Sequence, residues 1–256
     1  MSEHSPHESA VASVVESLSG AAAAYLVDPT PRVLRATVAV YNGVQTAPRL
    51  GLLTAPSALA ALRDRFLPAS AAANLTERGT VTLARYDGPD RLPTLVAPAT
   101  TVRFADRGDE VETVRGTLEF ARCRQLWATA PRVGLQTPAR RRLTAGLAER
   151  FPPTVPATFG EVAAAAGERG DAGFDAVAAV LLAAARAGCR NDRVSDWLTE
   201  AGLAAESTVS ARKRRLEAHE VVRTAPVGGA RTHELHLTGA YADSDAREFV
   251  RVIDRL

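Results

Sequence analysis

Lysine is almost missing from this chain. Lys+Arg together number 31, yet Lys213 is the one lysine. Chemistry that needs a His-x-Lys pair, as in phospholipase D-like folds, is excluded. Cysteine is also scarce: Cys123 and Cys189 lie far apart, with no CxxC. That signals no structural zinc and fits two small buried side chains in a reducing compartment. The longest apolar stretch, AAVLLAAARAG, is interrupted at Arg186, so no membrane-spanning helix is expected. The opening MSEHSPHESA is polar and acidic. It lacks the basic and apolar regions of a secretory leader, and the cytoplasm is the expected compartment. No GxGxxG, P-loop or GxSxG occurs, so neither a phosphate cradle nor a hydrolase elbow is present. Catalysis, metal and cofactor have no part in this reading.

What is there suits two globular domains. The chain has 256 residues, 46% hydrophobic and 23% charged, with a net charge of +2. That charge is too small to imply nucleic acid by itself, so any such argument must rest on local clustering. The spacing of Val11, Val14, Val15 and Leu18 predicts an amphipathic helix over 8–19. AAAAYLVDPTP reads as strand, tight loop and helix start, with Pro31 in the first turn and Thr30 or Asp28 as cap. RLGLLTAPSALAALRDRF repeats that pattern. GTVTLARY, 79–86, alternates as a strand. The stretch from Leu92 to Gly116 holds short strands and a hairpin turning at Asp106 to Asp109. TLEFARCRQLWAT, 117–129, is a helix. Strands alternating with helices predict an α/β domain with a small, mainly parallel sheet over 1–130.

Residues 131–173 carry five prolines, at 131, 138, 152, 153 and 156, and read as a linker containing a basic helix at 139–150. Residues 121–150 hold seven arginines against one acid, Glu149. From 174 to 256 the order is helix, helix, helix, hairpin, helix. A helix ends near Gly188, a second follows in NDRVSDWLTEAG, and a four-residue turn leads to ESTVSARKRRLEAH. The hairpin runs through 220–225, a Gly228-Gly229 tip and 231–237. Three helices followed by a hairpin is the order of a winged helix-turn-helix.

The third helix, about 206–219, would then be the recognition helix in a major groove, with a wing at about 221–237. At 100° per residue, Val209 and Leu216 are its anchors. Ser207, Thr208, Ala211, Arg214 and Arg215 point away from them, and Ser210 lies on the flank. Arg212 and Lys213 fall nearer the buried side, from which long side chains can still reach phosphate. Hydroxyls and guanidiniums are what phosphates and base edges accept. Arg231 beside the wing tip completes the candidate DNA-binding set. A solvated basic helix face is the blander reading of RKRR, and the surrounding order of elements favours DNA. His233 and His236 in HELH face opposite sides of a strand and do not suggest a metal. The rival function is a protein-interaction module that uses a winged helix without DNA.

Two strand-to-helix loops in the α/β part invite a small anion, because ligands of open sheets bind at strand carboxyl ends and helix N-termini favour negative charge. Asp28, Thr30, Thr54 and Ser57 are the candidate effector residues, against the alternative of plain capping. A homodimer is expected on duplex DNA, with the helices at 8–19 and 243–256 as candidate contacts.

Three stretches carry a family resemblance: YLVDPTPRVL, LLTAPSALAALRDRFLPASAAANLTERGTVTL, and WLTEAGLAAESTVSARKRRLEAHEVV. Over most of its length the chain resembles the TbsP-type transcriptional regulators known from haloarchaea. The resemblance implies a DNA-binding regulator of metabolic genes with a winged helix-turn-helix. One departure is charge: haloarchaeal proteins are usually very acidic, whereas this chain has a pI near 8.8.

Overall fold

The computed structural model describes residues 6–18, 21–44, 46–89, 92–104, 111–114, 118–169 and 173–256 apart from 228–231. They form two compact units. One holds residues up to 64 and 68–139; the other holds 65–67 and 140–256.

In the first unit, helix α1 (Pro6–Ser17) precedes strand β1 (Ala23–Val27), whose last four residues are buried. A strand covered on both faces reads as a continuous apolar run, as AAYLV does. Helix α2 (Pro31–Gly43) starts where expected: Pro31 occupies the first turn, and the Thr30 hydroxyl accepts from the Val33 amide at 3.3 Å. Strand β2 (Arg49–Thr54), helix α3 (Pro56–Arg63), helix α4 (Phe66–Glu77) and strand β3 (Val81–Arg85) follow. Then come β4 (Thr94–Ala97), β5 (Thr100–Phe104), β6 (Val111–Val114) and helix α5 (Leu118–Thr129).

The expected α/β class holds, with a mixed sheet of order β3-β2-β1-β4-β5-β6. Strands β1, β2 and β3 pair in parallel, while β4, β5 and β6 pair antiparallel from β1 outward. Strands β4 and β5 are joined by two residues, a hairpin connection that cannot make a parallel crossover, and β4 reaches β1 from β3 without an intervening helix. The Asp106–Asp109 turn lies outside the described residues.

Side chains alternate across this sheet. One face packs Leu26, Leu52 and Leu83 against α1, α2, α3 and α4. The other packs Tyr25, Leu53, Val96 and Cys123 with Phe120 and Trp127 of α5. Gly51 permits this second layer: a Cβ there would stand 2.8 Å from Tyr25 Cδ1 and 3.1 Å from Trp127. Val11, Val14, Val15 and Leu18 of and after α1 are buried in the first face.

The second unit comprises α6 (Arg140–Arg150), α7 (Thr154–Glu168), α8 (Ala176–Arg186), α9 (Asn191–Glu200), α10 (Glu206–Ala218), β7 (Val222–Pro226), β8 (His233–Leu237) and α11 (Ala246–Ile253). Here the expected linker over 131–173 needs correction. Leu143 and Leu147 of α6, and Val155, Phe159 and Val162 of α7, lie in the core that contains α8, α9 and α10. The prolines begin and separate these helices instead of marking an open connection; a proline is tolerated in a first helical turn. The second domain therefore starts near residue 140, not 174. Helix α8 is its centre, buried at every position from Ala176 to Ala185. Alanine there lets neighbouring helices approach closely. Phe249, Val250, Val252 and Ile253 of α11 are buried in the same core.

Both candidate dimer helices, 8–19 and 243–256, thus spend their apolar faces inside their own unit. No helix among the described residues is long and apolar enough to cross a membrane.

Candidate nucleic-acid interface

The interface is built on α9, a tight turn and α10. Val194, Trp197 and Leu198 seat α9 in the core. Gly202 then adopts a left-handed φ of 68°, the conformation that ends a helix and that glycine adopts without a Cβ penalty. The Leu203 amide closes the turn on the Leu198 carbonyl at 3.1 Å. Five residues after Ala201 the chain is in α10.

Val209 and Leu216 are the buried residues of α10, as its periodicity requires. Ser207, Thr208, Ala211, Arg214 and Arg215 are exposed, and Ser210, Arg212 and Lys213 are half-buried. One turn of the outward face therefore carries hydroxyls, and the next carries cations. Arg193, in the first turn of α9, is exposed as well. The first helix of such a pair crosses the DNA backbone, so Arg193 is a further candidate for phosphate contact. Sequence reading passed over it because it is isolated among NDRVSD; its position on the first helix of the motif was the available signal.

The four basic residues are not equivalent. Arg212 forms an ion pair with Asp175 Oδ2. Asp175 is also the N-cap of α8: its Oδ1 accepts from the amides of Val177 at 2.9 Å and Ala178 at 3.0 Å. Arg212 thus keys α10 to the start of α8. Arg215 donates to the Leu256 carbonyl. Lys213 and Arg214 carry no such tie among the contacts described.

The wing is a short antiparallel pair, from Val222 opposite Leu237 to Pro226 opposite His233. A third segment anchors it: Arg190 bridges Glu234, and the Leu235 amide donates to the Cys189 carbonyl at 2.9 Å. This joins the wing to the chain just before α9. Arg190 forks onto Asp192, and the resulting hydrogen bond holds the Asp192 carboxyl below its usual range. Burial, and then the Glu234 charge, push the Cys189 thiol up. The Gly228-Gly229 tip and Arg231 lie outside the described residues. Glu217 accepts from the Thr224 hydroxyl, tying α10 to β7. Among the described residues no cluster of three or more His, Cys, Asp or Glu could hold a metal. His236 lies 3.4 Å from Glu234, and no further ligand joins them.

The chain was compared with known proteins. Residues 3–138 match the model described as transcriptional regulator TbsP-like, N-terminal, and residues 139–253 match its C-terminal HTH domain. The chain belongs to the TbsP-like transcriptional regulators. It is accordingly a helix-turn-helix regulator and not an enzyme, and the TbsP-like domain boundary at 138/139 coincides with the division between the two units. No curated protein matches. Among solved structures, TrmBL2, an archaeal chromatin protein showing a novel mode of DNA binding, is similar at 17% identity and a TM-score of 0.31. That alignment spans 50% of this chain and 51% of the chromatin protein.

The four candidate effector residues of this TbsP-like chain lie at the ends of β1 and β2, which the Asp28 amide joins by donating to the Leu53 carbonyl at 2.8 Å. Thr30 uses its hydroxyl as a helix cap. Thr54 is fully buried at the end of β2. Asp28 turns the chain after β1 with a φ of 49°, and Ser57 is exposed on α3.

Proposed function

We propose that this TbsP-like chain is a sequence-specific DNA-binding regulator that lays the outward face of α10 into a major groove. Ser207, Thr208, Ser210 and Ala211 meet base edges and nearby backbone. Lys213 and Arg214 meet phosphate or a guanine edge. The wing, with Arg231, follows the adjoining backbone. The observation that carries the reading is the polar and cationic face of a helix whose other side is fixed by Val209, Leu216 and the Arg212–Asp175 pair. Arg212 and Arg215 act first as intramolecular ties and only secondarily as DNA contacts. Control of metabolic genes is part of the proposal and rests on the family. Pairing as a homodimer on two half-sites is part of it too and rests on the way such motifs read duplex DNA, through a surface other than the apolar faces of α1 and α11, which are spent in their own units.

Fluorescence anisotropy on the duplex upstream of its own gene, against a scrambled duplex, tests this across a salt series. The wild type binds the native duplex more tightly. Arg214→Ala weakens binding and lowers the salt slope by roughly 0.9 if one phosphate contact is lost. Equal affinity of wild type and Arg214→Ala, or no binding at low salt, would favour a winged helix that contacts protein.

A further inference from the structure

Three side chains stand in one row across the sheet of the first unit. Val27 is opposite Thr94, and Thr94 is opposite Arg103. Directly opposed residues of neighbouring strands project to the same face, here the face that α5 covers. On α5, Glu119 and Cys123 are one helical turn apart and share a side. Between that row and that turn lies a cavity of about 270 Å³, which Val96 and Leu92 complete.

Its place in the topology suits a ligand. Val27 ends β1. The chain leaves β1 toward β2 and β3, then returns to β4 on the other side. Open α/β sheets bind ligands outside the carboxyl ends of strands at such a reversal; here β4 runs antiparallel to β1, so the carboxyl end at the reversal is that of β1 alone. The candidate loops at Asp28 and Thr54 follow the same rule, but none of their four residues enters the wall of this cavity.

The lining defines the chemistry. Arg103 supplies a guanidinium from the sheet, suited to a carboxylate or a phosphate monoester. Glu119 supplies a carboxylate from the helix, which accepts from a hydroxyl or an ammonium. The Thr94 hydroxyl donates to the Leu92 carbonyl at 2.7 Å, so it presents its oxygen as a further acceptor. Val27, Leu92 and Val96 give apolar walls for a short carbon skeleton. The volume lies just under the roughly 300–1,000 Å³ of drug-sized pockets, too small for a dinucleotide.

We propose that this cavity is the effector site of the regulator and takes a small organic anion that also carries a hydroxyl or amino donor. The opposed Arg103 and Glu119 select such a two-ended molecule over a simple anion. The proposal extends the regulator reading by giving the first unit its ligand. Its test is made without DNA, so the two readings fail separately.

The full-length chain is melted, and titrated by calorimetry, with millimolar glycerate, lactate, glutamate, 3-phosphoglycerate and glycerol 3-phosphate. These separate carboxylates from phosphates. At least one raises the melting temperature by about 2–4 °C. Arg103→Gln weakens that ligand at least tenfold. Cys123→Leu, which narrows the cavity while keeping both charges, does the same. If Arg103→Gln does not fold, Glu119→Gln on the half-exposed helix side serves in its place. No shift with any compound, or undiminished binding in the folded variants, overturns the assignment. Ligand binding by a chain that ignores duplex DNA would leave the cavity standing and remove only the DNA reading.

Discussion

Asp175 answers three donors at once: two amides of the first turn of α8 and the guanidinium of Arg212. Its side chain is 17% exposed and that of Arg212 33%, so the pair is shielded from much of the screening that weakens surface pairs. Asp175→Ala removes a cap worth about 1 kcal/mol and leaves a half-buried guanidinium unpaired, which costs a further 1–2 kcal/mol or so. Urea unfolding should register a loss of about 2–3 kcal/mol. Arg214→Ala, on the exposed face, should leave the midpoint within about 0.5 kcal/mol while reducing DNA affinity. A variant set in which Arg212→Met changes stability and Arg214→Ala changes only binding separates the two roles. If Arg212→Met left stability untouched, its place as a structural tie would be lost. The cap was readable, since Asp175 stands directly before an apolar helical run. Its partner 37 positions on was not, because periodicity gives the direction of Arg212 but not what it meets.

Gly51 makes the same point in the first unit. RLGLLT reads as a strand with a glycine that signals close backbone approach, but the neighbour, Trp127, comes from a helix beyond the whole sheet. Gly51→Ala should force both Tyr25 and Trp127 aside and cost about 1–3 kcal/mol, with a change in tryptophan emission as the readout.

At the scale of elements, the run of helices and strands was legible where local chemistry is strong. Thr30-Pro31 begins α2, and Gly202 ends α9. The domain boundary was not legible, because five prolines between 131 and 156 look like a linker when α6 and α7 are judged singly. Helix α6 has little apolar character of its own and is held by Leu143 and Leu147 alone among its buried residues. Tertiary packing decides such a helix. A fragment of residues 174–256 would lose Leu143, Leu147, Val155, Phe159 and Val162 from its core. At roughly 1.5–3 kcal/mol for each large side chain, that comes to about 8–15 kcal/mol, comparable to the whole stability of a typical domain, about 5–15 kcal/mol. The fragment 140–256 should therefore unfold cooperatively by circular dichroism, and 174–256 should not. A cooperative transition in the shorter fragment would return α7 to the status of a linker helix.

At the scale of the molecule, a net charge of +2 leaves DNA affinity to local arrangement. The sequence has its most basic window at 121–150, but the fold divides that window. Arg122, Arg124 and Arg132 belong to the first unit, and Arg132 lies 3.9 Å over the Trp127 ring, donating to the Trp127 and Ala130 carbonyls. Arg150 pairs with Glu200 at 2.9 Å. The second unit holds Arg140 and Arg142 at the start of α6, beside Arg141, which has a partner within the protein. Gly146 faces Trp197, and Arg150 meets Glu200. These two contacts bring the second half of α6 against the second half of α9. Arg140 and Arg142, in the first turn of α6, are cations of the kind that take phosphate, and we predict that they extend the contact with the DNA backbone. Such contacts add affinity without sequence information. Replacing Arg140 and Arg142 by glutamine should lower the slope of log affinity against log salt by up to roughly 0.9 for each phosphate released. The preference for the native duplex over the scrambled one should stay constant. A slope equal to the wild type would confine the interface to α10 and the wing. A lost preference would mean that α6 helps to position the reading helix as well as to hold phosphate.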